Sequence, residues 1–288
     1  MKNTIVYYFI LLIPLVLSSQ STAKNNLKSA QEIIDQIILR TGTERLKSTV
    51  DKIIVGDPET PVKGVVSCMF ATMEVLEKAV AINANLIITH EPTFYNHFDN
   101  TEPFKDDLIF ETKMKYILDY ELVVWRFHDY VHRIKNDGIL MGMVKKLGWE
   151  EQQLEKGSLK FNFPTMSLAD LLKNLKKTFP KNSFYVVGKP EMAVTSVALV
   201  PGAPGSMRQI NLLQDPEIDV VVGGEVSQWE TYEYVRDAVK QNQNKAIVFI
   251  GHVNSEESGM IYAAEWIQNF IKDIPVTFIP SDSSYWSY

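Results

Sequence analysis

"VGDPETPVKGVVSC" (55–68) lines up without gaps on "VGKPEMAVTSVALV" (187–200), and six of the fourteen positions are identical. Self-similarity of this kind marks a duplicated structural unit. Each copy places Gly and Pro ahead of an apolar run, which predicts a turn entering a buried strand. The chain downstream of each copy repeats as well. After the first, "ATMEVLEKAVAINANLIITHE" (71–91) reads as an amphipathic helix and a strand ending at His90-Glu91. Then "DDLIFETKMKYILDYELVVWRFH" (106–128) reads as a helix and the strand Leu122–Phe127, ending at His128. After the second, "SMRQINLLQDPEIDVVVGGE" (206–225) runs helix to strand and ends at Gly224-Glu225. "WETYEYVRDAVKQNQNKAIVFIGH" (229–252) does the same and ends at Gly251-His252.

The chain is therefore expected to be an α/β protein of two related β-α-β-α-β halves with largely parallel strands. In open sheets of this class ligands collect beyond the carboxyl ends of the strands. The histidines stand at those ends. Ahead of the first half, Ser29-Ala30-Gln31-Glu32 is a capping box opening a helix with Ile33, Ile34, Ile37 and Ile38 on one face. "MSLADLLKNLKKTF" (166–179) opens the second half in the same way. The polar, punctuated stretch 145–166 sets the boundary, giving halves at 24–148 and 149–288. "VTFIPSDSSYWSY" (276–288) reads as a last strand, which can return to the first half.

The first 23 residues read as a separate object. Lys2 precedes "IVYYFILLIPLVL", thirteen residues without a charge, and then "SSQSTAK" with Ser21 and Ala23 at the −3 and −1 places of a cleavage site. That is the pattern of a signal peptide, and it is short for a membrane span. The mature chain is expected to begin near Lys24 and to be exported, periplasmic or secreted. A net charge of −6 and a pI near 5.5 exclude a basic footprint for nucleic acid. The single cysteine, Cys68, has no internal disulfide partner and sits in an apolar run, where it serves as core.

Four of the five histidines have defined places in the repeat. His90 is followed directly by Glu91. His128 and His132 lie i, i+4 in "HDYVH", and His252 and Glu256 repeat that spacing in "HVNSE". If either segment opens a helical turn, its two side chains share a face. A lone strand-end histidine is commonly an ordinary hydrogen-bonded residue, and His97 in "YNHFD" reads so, or as an outer neighbour of a metal. Asp129 either binds metal or orients a ligand histidine. For His90, Glu91, His128, His132, His252 and Glu256 together, a metal centre is the economical explanation. Imidazole and carboxylate donors without thiolates suit Zn, Mn, Fe or Ni. The set exceeds what one catalytic ion needs, so two divalent ions sharing a bridging carboxylate are expected, about 3.5–4 Å apart.

The order of these signals resembles the Nif-three-like dinuclear-metal-centre proteins, also known as GTP cyclohydrolase type 2 homologues, over roughly residues 30–288. Gly56-x-Pro58-x-x-Pro61-Val62 matches the family's strand entry, and Gly251-His252-x-x-x-Glu256 its late motif. The family's paired motif, commonly two histidines, falls on His90 and Glu91; the aspartate that usually closes its middle motif is here His132. The resemblance implies Glu256 as the bridging ligand and a ring of six copies, and it supplies hydrolysis as the expected chemistry. In that role Glu91 and Glu225 are the candidates for proton transfer. The small-molecule substrate is left open, since no P-loop or dinucleotide fingerprint is present. "PGAPGSMRQ" (201–209) is a weak anion-loop candidate, more simply an ordinary turn into a helix. The alternative is a metal-binding delivery or scaffold protein without turnover.

Overall fold

The computed structural model describes residues 27–282 and Tyr285; the expected signal segment 1–23 lies outside them. The first half runs α1 (Ala30–Thr41), β1 (Ile53–Val55), β2 (Val65–Cys68), α2 (Met73–Ala81), β3 (Leu86–Thr89), α3 (Leu108–Asp119), β4 (Val123–Arg126) and α4 (Gly138–Leu147). The second runs β5 (Lys160–Ser167), α5 (Leu168–Thr178), β6 (Tyr185–Val187), β7 (Ala193–Val200), α6 (Ser206–Gln214), β8 (Val220–Gly223), α7 (Thr231–Lys240) and β9 (Ala246–Phe249). Helix α8 (His252–Gln268) and strand β10 (Val276–Phe278) close the chain.

Two five-stranded sheets result, in the orders β1-β4-β3-β2-β10 and β6-β9-β8-β7-β5. The repeat is thus visible in the sheets. In each, three central strands are parallel. The apolar runs at β2, β3, β4, β8 and β9 are buried along their whole length, as strands covered on both faces must be. The short strand before each repeated turn, β1 or β6, comes back antiparallel at the edge. The outer strand beside β2 or β7 breaks the symmetry: β10 is parallel to β2, whereas β5 is antiparallel to β7. Part of the polar 145–166 boundary is therefore edge strand. β5 contains Pro164, and its pairing shifts register between Asn162 and Met166, which an edge tolerates.

Each sheet is covered on both faces. On one face of the first, α2 and α3 bury Val75, Leu76, Ala79 and Ile117 against Val66, Ile87 and Val124. On the other, Ile33 and Ile37 of α1 pack with Met260, Ala263 and Ile267 of α8. In the second sheet α6 and α7 occupy the former place, and α5 shares the latter with Leu140, Met143 and Val144 of α4. The helix that closes the first half thus covers the second sheet, and the helix that closes the second half covers the first. The two exchanged helices meet closely. A Cβ on Gly142 would lie 2.2 Å from the Ser258 carbonyl oxygen, and one on Gly259 would lie 2.5 Å from Ile139 Cα.

The expected capping box is present at α1. Glu32 N–H donates to Ser29 Oγ at 3.3 Å, and Ser29 N–H donates to Glu32 Oε2 at 2.7 Å.

Candidate metal centre

The fold brings the carboxyl ends of both sheets to one place. His90 and Glu91 come directly after the last residue of β3, and His128 comes two residues beyond the end of β4. The "HDYVH" segment continues into a single 3-10 turn at Val131–Arg133, which carries His132. Gly251, at φ 93, turns the chain out of the second sheet so that α8 begins at His252 and presents Glu256 one turn later.

One ring nitrogen each from His90, His128 and His132 lie within 4.8 Å of one another, and so do donor atoms of His90, Glu91 and Glu256. His252 Nε2 stands 2.9 Å from Glu256 Oε2 and 3.4 Å from Glu91 Oε1. All six expected ligand residues therefore fall in one cluster. Of the others, Glu225 approaches His252 from outside and is exposed. Asp129 lies behind His128, and His97 stands at the rim with its ring 6.2 Å from that of His128.

The histidines share a common arrangement. His90 Nδ1 donates to the Phe127 carbonyl at 3.3 Å. The Nδ1 atoms of His128, His132 and His252 meet Asp129 Oδ1 at 3.0 Å, Asp137 Oδ2 at 3.0 Å and Glu225 Oε1 at 3.0 Å. A carbonyl or carboxylate at Nδ1 fixes the hydrogen there and leaves Nε2 as the lone-pair nitrogen for the cluster. Ligand histidines are habitually oriented this way. His90 Nε2 is buried, and among the described residues no hydrogen-bond partner meets it. Glu256 Oε2 stands 3.4 Å away without completing a hydrogen bond; a buried nitrogen left so needs an explanation, and a cation between the two is one.

The charges agree with that donor set. Burial would raise Glu91, but the His252 hydrogen bond and the charges of His90, His252 and His128 hold it at about 2. Glu256 lies well below the usual carboxylate range, because His90 and His252 outweigh its burial. Burial and the neighbouring His90 push His128 down to about 4, leaving a neutral imidazole at neutral pH. Burial works against charge on His252 too, yet Glu225, Glu256 and Glu91 push it up to about 12, so without a cation it is an imidazolium whose Nε2 proton, shared with Glu256 at 2.9 Å, a metal ion would displace. Two ionised carboxylates in a buried cluster thus demand positive charge at its centre. A metal centre fits: His90, Glu91, His128, His132, His252 and Glu256 could hold it. Room is left beside it in a cavity of about 400 Å³, walled by all of those residues except His90 and by Leu159, Pro201 and Arg208.

Several supporting residues escaped sequence reasoning. Asp51 accepts backbone N–H bonds from His128, Asp129 and Tyr130 at 2.8, 2.9 and 2.8 Å, and so dictates the path of the "HDYVH" segment. Asp137 both caps α4 and orients His132. Gly202 makes room for Glu256: a Cβ there would lie 2.2 Å from Glu256 Oε1. The available signals were a charged residue, Arg126, inside an apolar strand and the "NDG" turn ahead of α4. Asp51 gave none.

The profile of the Duf34/NIF3 (NGG1p interacting factor 3) family matches residues 32–284. A protein of Clostridium acetobutylicum named GTP cyclohydrolase 1 type 2 homolog is 24% identical over 239 residues, covering 77% of this chain and 84% of that protein. Among solved structures, a Bacillus cereus protein related to NIF3 superposes with a TM-score of 0.71 at 16% identity, over 91% of this chain and 99% of that one. Staphylococcus aureus protein SA1388 superposes with a TM-score of 0.67 at 14% identity, over 90% of this chain and 97% of that one.

Proposed function

The chain belongs to the Duf34/NIF3 family, and from that premise we propose that it is a metal-dependent hydrolase holding two divalent ions in the His/Glu cluster. The carrying observation is the common orientation of four histidines, each with Nδ1 tied to an outer acceptor and Nε2 left for the centre. Bound there, the ions would supply Lewis acidity to a substrate oxygen and to water. Glu91 and Glu256 keep their charge, which suits them to accept cations. Glu225 is the carboxylate with reach beyond His252 and is exposed enough to exchange a proton with solvent. The cavity against the cluster favours an enzyme over a delivery protein, since delivery requires the ligands but no adjoining space. Among the described residues no helix is long and apolar enough to cross a membrane. With the proposal go export through the N-terminal segment and a ring of six copies, checked by N-terminal sequencing of the mature chain and by its mass in solution.

The test is elemental analysis of protein purified without added metal, together with hydrolysis of a generic phosphoester. About two ions per chain and measurable turnover are expected. His252→Ala and Glu256→Ala should each lose at least one ion per chain and reduce turnover at least tenfold while retaining the far-UV spectrum. Full metal content in both variants would refute the centre. Two ions with no turnover on any ester, amide or ring C–N substrate would leave the delivery alternative in its place.

A further inference from the structure

Arg126 ends β4 and is fully buried, an expensive place for a charge without a carboxylate to match it. Its guanidinium faces the metal cluster from behind. Nε donates to the His90 carbonyl at 3.3 Å, and Nη1 donates to the His97 carbonyl and lies 3.7 Å from Asp99 Oδ2. Nη2 points the other way, 3.6 Å from Glu91 Oε2, and among the described residues it has no hydrogen bond. The two oxygens of Glu91 are therefore divided. Oε2 faces the guanidinium, whereas Oε1 faces His252 Nε2 at 3.4 Å, His90 Nε2 at 3.9 Å and His128 Nε2 at 4.0 Å.

From this division we propose that Arg126 is a positioning residue that makes Glu91 a one-oxygen metal ligand. A free carboxylate can grip one cation with both oxygens or rotate to bridge two. An arginine on the far oxygen removes both choices and also offsets the extra negative charge that Glu91 brings to the cluster. The residue's other contacts secure the 91–99 loop, but they use Nε and Nη1. Only Nη2 addresses Glu91, so the two tasks fall to different nitrogens and can be separated. This inference rests on the metal centre proposed above.

Its test is a double-mutant cycle read by Co²⁺ binding. Metal-free wild type, Arg126→Met, Glu91→His and the double variant are titrated with Co²⁺ in the presence of a competing chelator, and the visible d–d bands are recorded. A neutral imidazole at position 91 has no second oxygen for Arg126 to restrain. Arg126→Met is therefore expected to weaken Co²⁺ binding at least tenfold and to alter the d–d spectrum in the wild-type background. In the Glu91→His background the same substitution should change affinity less than threefold. An unchanged spectrum and affinity in Arg126→Met would overturn the proposal. So would an equal loss in both backgrounds, which would mean that Arg126 acts by holding the loop. If Arg126→Met does not fold, Arg126→Lys replaces it in both backgrounds, since it keeps the buried charge but lacks the second arm. Failure of the wild type itself to bind Co²⁺ would sink the metal centre, a different outcome from either.

Discussion

Lys113 shows how far one residue can depart from its ordinary chemistry. It lies on α3 with 6% of its surface exposed, donates one hydrogen bond to the Thr93 carbonyl at 2.8 Å, and spreads its charge over the Phe94 and Tyr95 rings. Burial pulls its pKa from 10.5 to about 8, against weaker opposing effects from Cys68, Asp99 and Glu74. Below pH 8 the folded and unfolded chains both carry this proton, and the folded one bears the cost of burying it. Between about 8 and 10.5 the folded chain releases the proton first, so stability rises with pH through that window. Relative to Lys113→Met, urea unfolding of the wild type should gain roughly 3 kcal/mol across it. A constant difference between the two proteins would show that the group titrates normally when folded. Nothing in "FETKMKY" announces this, because a lysine at a helical position is usually solvated. The same holds for Asp51; Arg126 stands out as a charge in an apolar strand, but its role too depends on what the sheet places opposite it. The residues that cluster were legible for the opposite reason: strand ends and i, i+4 spacing are local properties.

At the scale of elements, buried runs and paired helices could be read directly. Periods of about 3.6 and unbroken apolar stretches are the marks of elements packed between layers. β5 and β6 were harder, since an edge strand keeps polar residues and depends on its neighbour for definition. The crossing of α4 and α8 could not be read at all, because a glycine inside a helix shows only that something is close or that stability was lost. Here the close approach decides the sign of a substitution. At an exposed helical site Gly→Ala stabilises by up to ~1 kcal/mol. Gly259→Ala should instead destabilise by about 1–3 kcal/mol, because its methyl meets Ile139 backbone. A fall in the urea midpoint checks this, and a rise would mean that the helices can separate at little cost.

The whole molecule is bound by the reciprocal exchange of α4 and α8. Without α8 the first sheet would lose Met260, Ala263 and Ile267 from one face, and without α4 the second would lose Leu140, Met143 and Val144. The halves that the repeat suggests are thus not independent in packing. Trp125 lies in the core of the first sheet and Trp149 in that of the second. In each variant retaining only one of these tryptophans, fluorescence and far-UV circular dichroism should report the same urea midpoint within error, as a single cooperative unit requires. Two separated midpoints would show that the exchange adds little. The duplication was visible in the chain because both copies still need the same turn and strand; the exchange was not, because it concerns which partner a helix chooses.

The three N–H bonds that Asp51 receives from residues 128–130 have a consequence for how this centre changes over time. They hold the main chain of the ligand-bearing bend without consulting any side chain on it. Donor atoms can then be exchanged one codon at a time, imidazole for carboxylate or the reverse, while the bend keeps its course. On the metal centre proposed above, selection for a different ion would proceed through such swaps with no intermediate that must first relearn how to fold.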